Sequence, residues 1–179
     1  MRTFILLVVL ITTAASLKAD SIDLFELFNY YEYSSDLASS GQPTIDQLPA
    51  IAEAGINAVI NLAPLTSPGA FADEGKRFEE LGIDYIHIPV NWEQPLLTDL
   101  KTFLAAMDKF SDKRILVHCM ANARASLFVY LWRSLEATDD DDDAYKSMVT
   151  IWGNNKGFEL HNFDQWMAFI EEARTEFTK

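Results

Sequence analysis

Cys119 is the only cysteine in the 179-residue chain. It ends an apolar run, "RILVHC", and the four residues from Met120 to Ala123 separate it from Arg124. The run has the composition of a buried strand and "RASLFVYLWRSL" that of a helix, so "CMANAR" links a strand end to a helix start. Backbone N–H groups in such a first turn have no intrahelical acceptor and converge on one point, which favours an anion. The same amides, the helix dipole and a nearby cation draw a thiol toward thiolate. Arg124 adds a planar fork matched to tetrahedral oxyanions. Asn122 occupies the middle of the loop, where a left-handed residue is needed and where asparagine is tolerated best after glycine. A lone cysteine in an apolar strand is most often a small buried hydrophobe. Here a nucleophile, a phosphate-sized nest and a guanidinium stand together within six residues, and His118 precedes them.

The elements that position this loop follow from hydrophobic periodicity. Short apolar or aromatic runs, "NYYEYS", "AVINLA", "DYIHIPV" and "RILVHC", alternate with helical patterns at "TIDQLPAIAEAG", "FADEGKRFEELG" and "LLTDLKTFLAAMDKF". Gly55 and Gly82 stand where helices should end. Further helices are expected to begin near Arg124, Ala144 and Asn162. The pattern predicts a single α/β domain with a mostly parallel central sheet flanked by helices. In open sheets of this kind ligands bind at the carboxyl ends of the strands, where His118 and Cys119 stand.

Composition narrows the functional classes. The chain is 49% hydrophobic and 12% aromatic, as expected of an ordinary globular domain. At its start, Arg2 and the run "FILLVVLITTAA" followed by "SLKAD" have the order of a secretory signal, with residues 1–19 removed and a mature domain over 20–179. The run is shorter than the ~20 apolar residues that span a bilayer, so no stable membrane insertion is expected after cleavage. Loss of Arg2 and Lys18 leaves 12 basic against 27 acidic residues, a formal charge of −15. Such a surface repels polyanions, and nucleic acid is not an expected partner. The acidic run Asp139 to Asp143 has the character of a helix cap, and it lacks the alternation and glycine of a calcium loop. With one cysteine, no internal disulfide forms. Three histidines without a close pair make a zinc site unexpected. No dinucleotide glycine pattern or G-x-S-x-G elbow occurs, and no cofactor is expected.

"VHC…R" at a strand end resembles the cysteine-dependent phosphatase superfamily. The resemblance is nearest to the bacterial phosphatase-like domain of the beta-lactamase hydrolase-like proteins. It is carried also by "SSGQPTIDQLPAIAEAGINAVINLAP" and "GIDYIHIPVNWEQPLLTDLKTFLAAMDKF", spans about Tyr30 to Leu135, and extends less specifically to "FDQWMAFIEEA". It implies a cysteine-phosphatase-like fold and a phosphorylated small molecule or phosphoprotein as substrate. It further implies that Cys119 attacks phosphorus and that Arg124 holds the phosphoryl oxygens. Met120, Ala121, Asn122, Ala123 and Ser126 then contact the phosphate, and His118 supports the nucleophile. The leaving-group acid in this superfamily precedes the helix that leads to the cysteine strand, and "VNWEQPLLTDLKTF" offers Glu93 there, with Asp99 as the alternative.

The chain departs from the superfamily pattern in three places. Four residues rather than five separate cysteine from arginine, Asn122 replaces the usual mid-loop glycine, and Ala125 stands where a hydroxyl residue often follows the arginine. The short loop is typical of the bacterial family and occurs also in rhodanese-like sulfurtransferases. A sulfurtransferase and a non-catalytic phospholigand-binding module therefore remain as alternatives.

The signal pattern places the mature protein outside the cytoplasm, periplasmic or secreted. Mass spectrometry of protein isolated from its native host is expected to find a chain beginning near Asp20. An intact Met1 would refute this.

Overall fold

The computed structural model describes residues 24–135, 140–154 and 157–177. The expected signal segment lies outside them. Strands β1 (Tyr31–Ser34), β2 (Leu37–Ser40), β3 (Ala58–Asn61), β4 (Asp84–His87) and β5 (Ile115–His118) form one sheet in the order β1-β2-β5-β3-β4. Only β1 runs antiparallel, in a tight hairpin with β2, and the other neighbours pair in parallel. Helices α1 (Leu48–Glu53), α2 (Glu74–Glu80), α3 (Leu97–Lys109), α4 (Ala123–Leu135), α5 (Asp141–Gly153) and α6 (Asp164–Phe177) complete the α/β domain.

Side-chain alternation along the strands divides the core into two layers. Ile115 and Val117 of β5, with Ala58 and Ile60 of β3, pack toward α3, α4 and α6. Leu116 and Val59 turn to the opposite face, against Leu48, Ile51 and Phe78 of α1 and α2. The inner strands β2, β5 and β3 are thus covered on both faces, which explains their continuous burial, while the edge strand β4 is only partly covered. Helix α4 is the most enclosed of the described helices, buried without a break from Ala123 to Leu131. Aromatic rings fill the space around it: Phe128 lies between Phe103 and Phe169, with ring centroids 5.4 and 5.6 Å away.

The expected strands and helices are present, with two local differences. Strand β2, "LASS", has small and hydroxyl residues rather than the β-branched pattern that marks strands, and the sequence does not announce it. Its serines are satisfied locally: Tyr33 Oη and Ser39 Oγ are 3.0 Å apart, and Ser40 Oγ donates to the Gly41 carbonyl at 2.8 Å. The "TIDQLPAIAEAG" segment begins as a 3₁₀ turn, Ile45–Gln47, before α1 starts with Pro49 in its first turn. At the acidic run, Asp140 caps α5 by accepting from the Asp142 amide at 2.8 Å, and Asp141 pairs with Arg174 at 2.6 Å.

The parallel register brings the last residues of four strands into one row: Ser40, His118, Asn61 and His87. This polar row is the edge from which the Cys119 loop departs. His87 donates from Nε2 to the Ala63 carbonyl at 2.7 Å. His118 is fully buried, and burial holds its pKa below the ordinary histidine value of 6.5, against the opposing pull of the Glu74 carboxylate and with a smaller push from His87. An unfolded chain therefore takes up this proton at higher pH than the folded one. The resulting stabilisation is complete above pH 6.5 and is lost as pH falls from there through the lower folded value. Between about pH 7.5 and about pH 5.5 the unfolding midpoint of wild type is expected to drop further than that of His118→Gln, followed by circular dichroism. Equal slopes would show that His118 does not carry this dependence.

Candidate active site

Cys119 follows the last residue of β5, and Arg124 is the second residue of α4. Both side chains are buried, 1% and 5% exposed, and both line a cavity of about 590 Å³. Met120, Ala121 and Ala123 share its floor, and Pro68, Trp92 and Phe158 form part of its wall.

The loop owes its shape to the way its carbonyls are tied outward. Met120 O accepts from the Gln42 amide at 3.1 Å, and Ala121 O accepts from Asn29 Nδ2 at 3.1 Å. Asn122 O takes the Ser126 amide at 3.0 Å and the Ser126 hydroxyl at 2.6 Å. Ala123 O takes Trp152 Nε1 at 3.0 Å. The amides of Met120, Ala121 and Ala123 find no protein acceptor among the described residues. Carbonyls bound on the outside and free amides at a helix start make an anion nest.

Asn122 is left-handed at φ 67°, as its place in the loop predicts. Its side chain does not line the cavity; Nδ2 donates to the Asn29 carbonyl at 2.7 Å. Asn29, also left-handed at φ 50°, returns a bond to Ala121 O, so the two asparagines clasp the loop from behind. Ser126 likewise lies outside the cavity wall, its buried hydroxyl committed to loop carbonyls. These two residues shape the nest from outside. Gly41 is required where the loop passes closest: a Cβ there would lie 2.6 Å from Phe28 Cδ1 and 3.0 Å from Met120 O.

Arg124 donates from Nη1 to the Leu62 and Val90 carbonyls at 3.2 and 3.0 Å. Its buried Nε has no protein partner and remains a donor for an oxyanion. The guanidinium carbon lies 5.9 Å from the centre of the Trp92 ring, which is itself packed among Trp152, Phe158, Phe163 and Trp166. Trp92 is thus both core and cavity wall.

Glu93 follows Trp92 on the loop bordering the cavity. Its amide donates to Asn91 Oδ1 at 2.8 Å, while its side chain is exposed and lies outside the wall. Asp99 is in the first turn of α3, half-buried, and burial raises its carboxyl pKa. It too lies outside the cavity wall. Among the described residues no cluster of His, Cys, Asp and Glu is arranged to hold a metal ion.

Sequence reasoning missed Asn29, Trp152 and Glu74. Nothing in "FNYY" marks Asn29. Glu74 precedes Phe78 by four residues, which places both on the buried face of α2, and that spacing was its one signal.

No protein-family model matches the chain. A DUF442 phosphatase candidate from Shewanella putrefaciens CN-32 superposes with TM-score 0.74 at 34% identity, covering 86% of this chain and 93% of that one. Tk-PTP in its active form has TM-score 0.64 at 18% identity, covering 82% and 97% of the two chains, and shares the fold. The beta-lactamase hydrolase-like protein of Xylella fastidiosa (strain Temecula1 / ATCC 700964) is 27% identical over 135 residues, 73% of this chain. The chain spans about 30% of the length of that relative. The resemblance drawn from "VHC…R" and its flanking segments is therefore borne out, and the chain belongs to the DUF442 family, built on the cysteine-phosphatase fold.

Proposed function

We propose that the protein is an exported, cysteine-dependent phosphatase that hydrolyses phosphate monoesters through a phosphocysteine intermediate, with tyrosine- or dual-specificity-type chemistry. The observation that carries the proposal is the single cavity lined by Cys119, Arg124 and the loop residues Met120, Ala121 and Ala123, whose amides have no protein acceptor among the described residues. Two proteins of this fold are seen with phosphorylated ligands, PTPMT1 with PI(5)P and P. aeruginosa TpbA with pTyr. Phosphorylated substrates accord with an anion nest of this kind.

In the proposed reaction the Cys119 thiolate attacks phosphorus in line, forming the S–P bond as the bond to the leaving oxygen breaks. Arg124 and the loop amides hold the equatorial oxygens, where transition-state charge is stabilised by donors already in place. Glu93 gives its proton to the leaving oxygen. Its carboxylate then accepts a proton from water as that water attacks phosphorus, releasing phosphate and restoring the thiolate. The loop bearing Glu93 borders the cavity through Asn91 and Trp92, and the proposed role requires the exposed Glu93 carboxyl to turn toward the cavity when an ester is seated.

The four-residue loop also suits a sulfurtransferase, in which Cys119 carries a persulfide. Phosphate release and thiocyanate formation measured side by side separate the two. Phosphate release by wild type and its loss in Cys119→Ser are expected, with vanadate binding kept; full activity in Cys119→Ser would refute the mechanism. Arg124→Ala is expected to weaken both turnover and oxyanion binding. Glu93→Gln should lower kcat by about a hundredfold for esters with poor leaving groups and much less for p-nitrophenyl phosphate. A uniform effect on all esters would place the acid elsewhere, Asp99→Asn being the next variant to measure.

A further inference from the structure

Glu74 opens α2 and is 2% exposed. Its carboxylate accepts from Gln42 Nε2 at 2.6 Å, from Asn61 Nδ2 at 2.5 Å and from the Tyr85 hydroxyl at 2.9 Å. His118 Nε2 lies 3.6 Å away. No lysine or arginine pairs with it among the described residues. The titratable groups facing it are Tyr85, kept protonated by burial and by the Glu74 charge, and His118, held toward its neutral form by burial. A carboxylate withdrawn from water without a cation is costly unless its lone pairs are filled, and here neutral donors fill them.

These surrounding groups come from four strands or their ends. Gln42 follows β2, Asn61 ends β3, Tyr85 lies in β4 and His118 ends β5. Three of them connect to the groups that line the cavity. The Gln42 amide binds Met120 O in the loop. Asn61 Oδ1 accepts the Ala63 amide at 2.7 Å, fixing the turn whose Leu62 carbonyl receives Arg124. His118 is the residue before Cys119.

We propose that Glu74 is a positioning residue: its carboxylate ties Gln42 after β2, Asn61 at the end of β3 and Tyr85 of β4 together so that the loop, Cys119 and Arg124 address one phosphoryl group. This inference rests on the phosphatase reading and adds a residue that neither touches substrate nor lines the cavity. Glutamine at position 74 keeps the shape but turns one acceptor into an amino group facing donors. Aspartate at position 61 reverses the polarity of one of those bonds while keeping the oxygen that holds the Ala63 amide.

The test compares kinetics and thermal unfolding of wild type, Glu74→Gln and the double variant Glu74→Gln/Asn61→Asp on p-nitrophenyl phosphate. Glu74→Gln is expected to lower kcat by about tenfold or more while KM stays within about threefold. The double variant is expected to recover at least about threefold of that loss, which a general loss of folded protein would not produce. A folded Glu74→Gln with kcat within about twofold of wild type overturns the inference, as does a double variant that recovers nothing. If Glu74→Gln does not fold, Gln42→Met keeps the side-chain length and removes one donor. A fall of about threefold in kcat is then expected, and an unchanged kcat overturns the inference. An inactive wild type would instead refute the phosphatase reading. Vanadate protection of Cys119 from iodoacetamide then decides: weaker protection in Glu74→Gln upholds the positioning role, and equal protection overturns it.

Discussion

The parallel register that ends β2, β5, β3 and β4 on one line is the constraint on which the rest depends. A strand leaving that line must satisfy its backbone groups without a ladder. After β5 the chain does so one carbonyl at a time, with Gln42, Asn29, Ser126 and Trp152 as donors. Those donors take up the loop carbonyls, and the amides of the cavity-lining residues Met120, Ala121 and Ala123 are left without a protein acceptor among the described residues. The proposed anion nest is thus a by-product of how the carbonyls are satisfied, and Gly41 matters because a Cβ there would crowd Phe28 and the Met120 carbonyl.

Helix α4 gives the same loop its second fixed end. Burial of Ala123 to Leu131 against α3, α5 and α6 leaves the helix little room to shift, so the position of Arg124 is set by the whole helical layer. Trp92 couples that layer to the loop carrying Glu93. Its ring touches Trp152 and Trp166 on two helices, and of its two neighbours Asn91 lines the cavity while Glu93 lies just outside the wall. The residue that shapes the cavity wall therefore also anchors the segment proposed to carry the acid.

How much of this was visible in the sequence depends on range. Local rules revealed the strand–loop–helix around Cys119, the left-handed Asn122, the cap formed within the acidic run and the glycines that end α1 and α2, with φ of 84° at Gly55 and 76° at Gly82. Each of these is decided by a few adjacent residues. What the sequence hid was long-range or contrary to type. β2 is a strand because of its neighbours, not its side chains. Asn29 matters only because the fold carries it to a loop 92 residues away. Ser126, whose place after the loop suggested contact with phosphate, instead spends its hydroxyl on backbone carbonyls. Glu74 sits in a segment of mixed charge where a buried carboxylate is the least expected residue.

Arg124 and Glu74 are both buried charged groups behind the same loop, yet neither is the other's ion pair. Arg124 is held by two carbonyls and the face of Trp92, and no carboxylate pairs with it among the described residues. Glu74 is held by amides and a phenol. Had the two been joined, the guanidinium would enter the reaction already neutralised, and an incoming phosphate would have to displace a carboxylate. Keeping them apart leaves a desolvated cation whose strongest available partner is a bound oxyanion. The desolvation cost of burying Arg124 is borne by the fold in advance, and binding an anion relieves it. In a chain with a formal charge of −13, whose surface repels anions, that separation is what the proposed phosphate-binding role of Arg124 requires.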